Sequence, residues 1–403
     1  MSRLVPKLRF KEFSGEWKER KLGDVGNTFN GLTGKTKEDF GIGKPYIQYM
    51  QVFSNYKIDV ANFGLVTIKP NDRQNKVKYG DIFFTTSSET LKEIGLSSVL
   101  TKQVNEVYLN SFCFGYRPKS LDELVPEFSQ FFFRNETVRK KIIGLGQGST
   151  RVNISKVKLL ELKFYFPEKQ EQQKIASCLS SLDALIEAQN KKVSVLKQHK
   201  KGLMQQLFPK SGETTPTLRF KAFSGEWEEK IISDLANRYD NLRIPIAASN
   251  RIEGVTPYYG ANGIQSYIQG YTHDGEYILV AEDGANDLQN YPVQYVNGKV
   301  WVNNHTHVLQ GKKGISNNIF LMHAIQNTNI RPYLVGGGRA KLNANIMMKI
   351  SFLVPKPKEQ QKIANTLSTL DNLIEAQNQQ INHLKQHKKG LMQQLFVNSE
   401  VGA

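Results

Sequence analysis

The sequence predicts an α+β protein: two mixed α/β domains separated by two long helices that form an antiparallel coiled coil, with an internal pseudo-two-fold repeat. Three observations predict it. The opening PKLRFKEFSGEW, Pro6 to Trp17, returns as PTLRFKAFSGEW, Pro216 to Trp227. A longer cassette also returns. Glu171 to Phe208 reads EQQKIASCLSSLDALIEAQNKKVSVLKQHKKGLMQQLF, and Glu359 to Phe396 reads EQQKIANTLSTLDNLIEAQNQQINHLKQHKKGLMQQLF. The stretches between, residues 18–165 and 228–353, show almost no similarity to each other. Two alike frames around unlike inserts describe one scaffold that positions two different recognition surfaces.

The repeat sets the boundaries: residues 1–167 for the first domain, 168–209 for the first long helix, 210–355 for the second domain, 356–397 for the second long helix, and a tail at 398–403. In the first insert, Val77–Ser88 predicts a turn entering a strand, and Val107–Arg117 predicts another strand. Leu121–Ile143 predicts a helix whose phenylalanines Phe128, Phe131, Phe132 and Phe133 belong to the core. In the second insert, Asn297-Gly298 between Val293–Val296 and Lys299–Val302 predicts a two-residue hairpin. Ile315–Gln326 predicts a short helix. Each insert is expected to end alike, with a helix, a glycine-containing loop and a strand entering the next cassette.

The cassettes carry the coiled-coil signal. Alternating steps of four and three give Ile175, Leu179, Leu182, Ile186, Gln189, Val193, Leu196, Lys200, Leu203 and Leu207. The second cassette gives Ile363, Leu367, Leu370, Ile374, Gln377, Ile381, Leu384, Lys388, Leu391 and Leu395, with its polar breaks in the same two places. Pro167 and Pro355 mark where each helix can begin. A helix of this length extends roughly 60 Å and must pack along another long helix, for which the other cassette is the obvious partner. The chain passes through a whole domain between the two helices, which predicts antiparallel pairing, with Gln189 and Gln377 near mid-seam where polar groups fix register.

The 403 residues carry a net charge of +17, which favours an anionic partner, nucleic acid first. The first domain, 1–167, holds +10 of that charge, and residues 209–355 hold +2. The two cysteines, Cys113 and Cys178, have no metal-ligand spacing and suit a reducing cytosol. The N-terminus lacks a signal peptide's apolar run, and no apolar stretch approaches the roughly 18 residues of a membrane span, so a cytoplasmic protein is expected.

Taken together, the EQQKIA helix starts, the LDxLIEAQ middles, the HKKGLMQQLF ends and the PxLRFxxFSGEW openings resemble the specificity subunit of type I restriction-modification systems. The resemblance covers essentially the whole chain. It implies a subunit that reads a bipartite, asymmetric double-stranded DNA site, one target-recognition domain per half-site. It implies that the helices act as a spacer ruler and dock two methyltransferase subunits, and that nuclease-translocase subunits complete the restricting complex. It implies no cofactor on this chain, with S-adenosylmethionine, ATP and Mg2+ on the partner subunits. Two reading heads on a rigid pair of helices can meet one face of a duplex about one turn, roughly 34–36 Å, apart.

The residues expected to touch DNA lie first in the two glycine-containing loops. One holds Gln147, Ser149, Thr150, Arg151 and Asn153; the other holds Gly337, Gly338, Arg339, Lys341 and Asn343. Glycines let backbone approach phosphate, and Arg can fork onto guanine. Read by position, Arg151 matches Lys341 and Asn153 matches Asn343. A second set comprises Thr85, Thr86, Ser87 and Ser88, and in the other insert Tyr259, Asn262, Asn303, Asn304, His305 and His307, since Asn can pair with adenine. A metal site at the histidines is not expected, because no nearby carboxylate or cysteine completes one.

Catalytic signatures are missing. No NPPY- or DPPY-type motif accompanies an adenine-methylation site, and Gly34-Lys35-Thr36 fails as a P-loop because position 29 is Phe29. Asp81 with Glu89 and Glu93, or Glu282 with Asp283 and Asp287, read as surface charge and not as nuclease carboxylates. The expectation is a non-catalytic subunit. The alternatives are a stand-alone site-specific nuclease and a coiled-coil architectural protein that binds DNA without sequence preference.

Overall fold

The computed structural model describes residues 4–148, 150–336 and 340–397. The chain divides into two compact units, one of Met1–Gln189 with Gln380–Ala403 and one of Asn190–Gln379. These units do not follow the linear domain order. Each takes one insert, the first part of one long helix and the last part of the other.

The long helices span Lys169–Leu207 and Pro357–Gln394 and continue through Gly202 and Gly390. Every seam residue named above is buried or half-buried. Within the first unit the two helix segments run antiparallel: Leu395 and Phe396 share a core with Ile175 and Leu179, while Lys388 reaches Asp183 at 2.5 Å. The second unit repeats this arrangement, with Leu207 and Phe208 against Ile363 and Leu367, and Lys200 on Asp371 at 2.5 Å. Gln189 and Gln377 each bury a carboxamide oxygen that has no hydrogen-bond partner among the described residues.

The repeated openings fasten each insert to its helix. Arg9 forks onto Glu171 with two 2.8 Å bonds, and Arg219 forks onto Glu359 with the same two distances. Trp17 packs edge-on to Phe396, and Trp227 edge-on to Phe208. Strand Lys18–Lys21 then pairs antiparallel with Lys163–Phe166, and Glu228–Ile231 with Ser351–Val354.

The unlike inserts share one strand path. In the second unit a six-stranded sheet runs in the order 236–238, 306–311, 273–281, 293–302, 253–260, 263–268. In the first unit the same path is broken into a four-stranded sheet, 26–30, 113–118, 82–85 and 97–99, and a three-stranded sheet, 108–109, 40–47 and 64–66. The break falls where the second unit keeps the single strand Val293–Val302.

Four local expectations change. Asn297-Gly298 is not a hairpin turn. It lies inside that ten-residue strand, opposite Glu276 and Gly275, where Gly298 (φ +92°) faces Gly275 (φ +138°) and the ladder runs on. The 121–143 region holds two helices, Pro126–Phe132 and Glu136–Ile143, because Asn135 caps the second by accepting from the Thr137 amide. Its four phenylalanines are core, as expected. The 107–117 strand is split at Asn110, whose side chain turns the chain. Each insert also gains a short helix, Lys156–Glu161 or Ala344–Met347, between its glycine loop and its last strand. Among the described residues no helix is long and apolar enough to cross a membrane.

Candidate nucleic-acid interface

In the first unit, the backbone brings the two sequence-distant candidate sets together. Ser87–Ser88 pairs antiparallel with Val152–Asn153, Asn153 lying opposite Ser87. The Ile154 amide donates to the Thr86 carbonyl at 3.0 Å, and the Thr86 amide donates to the Phe112 carbonyl at 3.0 Å. Gln147 and Asn153 exchange both backbone bonds, at 3.0 and 2.8 Å, which closes residues 148–152 into a five-residue loop. Gly148 opens that loop at φ +118°, and a Cβ there would stand 2.2 Å from the Arg151 carbonyl oxygen. Only glycine fits this position.

The second unit builds the same ladder from different residues. The Leu342 amide donates to the Glu282 backbone carbonyl at 2.7 Å, and the Glu282 amide donates to the His305 carbonyl at 2.9 Å. Val335 and Lys341 exchange both bonds at 2.9 Å, and Gly336 opens the loop at φ +95°. Asn110 and Asn303 hold equivalent turns, each side-chain oxygen accepting the amide two residues on, at 2.8 and 2.9 Å.

This register corrects the positional match made from sequence. Asn153 corresponds to Lys341, not to Asn343. Ser155 and Asn343 correspond as the residues that precede the short helices. Position 151 therefore corresponds to position 339, an arginine in both loops. Ser149, Gly337, Gly338 and Arg339 lie outside the described residues.

Several candidates are placed where they serve the fold. Thr85 is fully buried, and its hydroxyl accepts the Leu96 amide at 3.1 Å. Ser88 is also buried, with its hydroxyl on Glu93 and the Thr90 amide. Asn303 is buried as the turn-former just described. Thr85, Ser88 and Asn303 cannot reach a base edge without unfolding the strand ends that hold them. Asn262 ties two loop segments together through the Gly284 carbonyl and the Asn286 amide, both at 2.9 Å. Tyr259 is half-buried against a core that includes Val302 and Val308. Gln147, Thr150, Arg151, Asn153 and Asn304 are exposed, while Thr86, Ser87, His305, Lys341 and Asn343 are half-buried.

Arg151 lies on an open cavity of about 530 Å³ lined also by Tyr49, Phe53, Ser87, Phe112 and two carboxylates, Glu89 and Glu93. Burial raises the Tyr49 hydroxyl pKa above its usual value. Phe112 is 61% exposed and is the equivalent of His305. Sequence reading missed it, because one phenylalanine in SFCFGY gives no sign that it faces solvent.

In the second unit the corresponding edge is charged, and here the expectation that no carboxylate adjoins the histidines is overturned. Asp240 and Glu282 converge on fully buried His307, their ligand-type atoms all within 4.8 Å of one another. The cluster is already satisfied by protein groups. His307 places one ring nitrogen 2.7 Å from Asp240 and the other 2.8 Å from the Leu342 carbonyl. Arg243 and Lys341 sit on Glu282 at 2.7 and 2.9 Å. Burial pushes both carboxyl groups upward in pKa. The His307 bond at Asp240, and Arg243 and Lys341 at Glu282, outweigh it and hold both below the usual carboxylate range. Two cations and a doubly bonded imidazole do not fit a metal centre, so the cluster works as an anchor that holds Lys341 at the loop's end. His305 meets Asp283 at 2.5 Å beside it.

The chain is similar to known proteins. The family model described as the type I restriction modification DNA specificity domain matches residues 14–198 and 224–386. A protein of Haemophilus influenzae described as a type I restriction enzyme specificity subunit is 45% identical over 148 residues, 37% of this chain and 38% of its own length. The MjaX specificity subunit of Methanocaldococcus jannaschii is 26% identical over 414 residues, 97% of this chain and 95% of that one. The crystal structure of a type I restriction-modification S subunit from M. genitalium shares the fold, with a TM-score of 0.62 at 18% identity, covering 97% of this chain and 99% of that one. With the duplicated frame, the shared strand path and matches in both halves, the chain belongs to the DNA specificity subunits of type I restriction-modification systems.

Proposed function

We propose that this chain reads a bipartite, asymmetric double-stranded DNA site, with one insert domain per half-site. The supporting observation is the common loop. Two inserts with almost no sequence similarity place five residues between equivalent closing pairs of the same ladder, with a positive-φ glycine first and, in the sequence, an arginine fourth. Arg151 and Arg339 are the residues we assign to guanine or phosphate contact. Around them the two edges differ, Ser87, Phe112 and Asn153 in one and Asp283, His305 and Lys341 in the other, which suits dissimilar half-sites.

As a member of its family the chain is non-catalytic by itself. In this reading the long helices set the spacer and dock two methyltransferase subunits, one on each copy of the repeated frame. Restriction-translocase subunits join that core, and S-adenosylmethionine, ATP and Mg2+ act on those partners. The proposal is tested by mapping methylated adenines in the host genome with and without this chain. A two-part, non-palindromic motif that vanishes with the chain supports it; methylation that persists unchanged contradicts it. Cleavage of plasmid by the purified chain with magnesium would instead favour a stand-alone nuclease.

A further inference from the structure

The last turns of both long helices carry the same residues into a cleft of each unit. In the first unit, Lys385, Lys389, Met392 and Gln393 line an open cleft of about 360 Å³ facing Tyr56 and Arg134. In the second, Lys197, Lys201, Met204 and Gln205 line one of about 600 Å³ facing Gln289 and Asn290. The four helix residues are position for position the same in the two cassettes, and the opposing walls are unlike.

Charge is unequally used in these clefts. Lys388 and Lys200 are committed to Asp183 and Asp371. Lys197, Lys201, Lys385 and Lys389 are exposed and make no ion pair among the described residues. Glu136 in the first cleft is already approached by Gln393 at 3.4 Å. Each unit therefore offers two free ammonium groups, placed by helix geometry and not by its insert.

In each unit, one short segment joins this cleft to the reading edge. In the first, Tyr49 and Phe53 of helix Tyr49–Ser54 line the Arg151 cavity, and Tyr56 just beyond it lines the lysine cleft. Arg134 fixes that junction, donating to the carbonyls of Val52, Phe53 and Asn55 at 2.8, 2.9 and 3.1 Å. In the second, Asp283 lies on the Lys341 ladder, and Gln289 and Asn290 of the same segment reach the lysine cleft.

We infer that these lysine pairs bind the phosphate backbone of the DNA beside each half-site. The inference rests on the chain's being a DNA reader. Phosphate contacts carry no sequence information, so the same pair of lysines, repeated in each unit, can serve both halves while the inserts diverge. Lysine suits this task as a mobile point charge.

The test is binding of the full-length chain, across a potassium chloride series, to a duplex holding the mapped site and to a scrambled duplex. K385A/K389A and K197A/K201A should each lower the slope of log affinity against log salt by about 2, and the quadruple variant by about 4. Both duplexes should weaken by the same factor, on the order of tenfold per pair at low salt, and lysine-to-arginine variants should keep the wild-type slope. An unchanged slope in the quadruple variant overturns the inference, including when the methyltransferase subunits no longer co-purify, which would make the clefts protein-docking sites. A wild-type chain that binds neither duplex overturns the DNA-reading function itself.

Discussion

Gln172 reaches out of the first long helix to accept the Val125 amide at 2.9 Å, at the residue where an insert helix begins. Its amide nitrogen donates to the Glu123 and Pro167 carbonyls at 2.8 and 3.0 Å. Gln360 repeats all three bonds on Asn317, Ile315 and Pro355 at 3.0, 3.0 and 2.9 Å. Every partner is a backbone group. The repeated frame can therefore hold unlike inserts, because what it grips does not depend on their side chains. Gln172→Ala leaves a buried amide unpaired and should cost about 1–3 kcal/mol in the first unit only, with Gln360→Ala doing the same in the second. Denaturant unfolding followed by a probe in each unit checks this.

Arg9 and Glu171 give a second, separable prediction. Glu171 is almost completely withdrawn from water, so Arg9→Ala strands a buried carboxylate and should destabilise the first unit by about 3 kcal/mol. Arg9→Lys should recover little, since an ammonium cannot make both parallel bonds. Thermal unfolding of the three proteins distinguishes the outcomes.

The second unit should be acid-sensitive through His323. Burial first and the Lys200 charge second hold this ring's pKa down to about 4, against 6.5 for an ordinary histidine. The folded ring stays neutral while the unfolded ring takes up a proton. Its contribution is full above pH 6.5, falls as the pH drops, and levels off near 4. The loss is on the order of 3 kcal/mol at most. His323→Gln should flatten stability between those limits; an unchanged pH profile in that variant would contradict this account.

The loop geometry predicts that Gly148→Val abolishes reading of one half-site. The new side chain would carry an unfavourable positive φ and a Cβ 2.2 Å from the Arg151 carbonyl, so the loop must rearrange. Unit stability should change little by comparison, because the loop is exposed. Binding to duplexes altered in one half at a time measures the effect.

The frame was legible in sequence because repetition and heptad spacing are local patterns, and the heptad positions from Ile175 to Leu207 and from Ile363 to Leu395 are all buried or half-buried along the two long helices. What sequence could not supply was long-range register. The two glycine loops were matched two residues out of step, because only the bonds between Gln147 and Asn153, and between Val335 and Lys341, show where each loop closes. Thr85 looked available beside Ser87, but it ends a strand that is buried on both faces, and its hydroxyl is taken by the Leu96 amide. Asp240 reaches His307 from 67 residues away, a meeting that no spacing rule anticipates. Asn297-Gly298 carried a strong turn signal that the longer ladder with residues 273–280 overrode.

The most direct test of the account is the motif methylated in cells carrying Arg151→Ala or Arg339→Ala in this chain. The account predicts that the first substitution relaxes or erases one half of the motif, the second relaxes or erases the other half, and the spacer is unchanged in both. Equal loss at both halves from either substitution, or an unaltered motif from both, would contradict it.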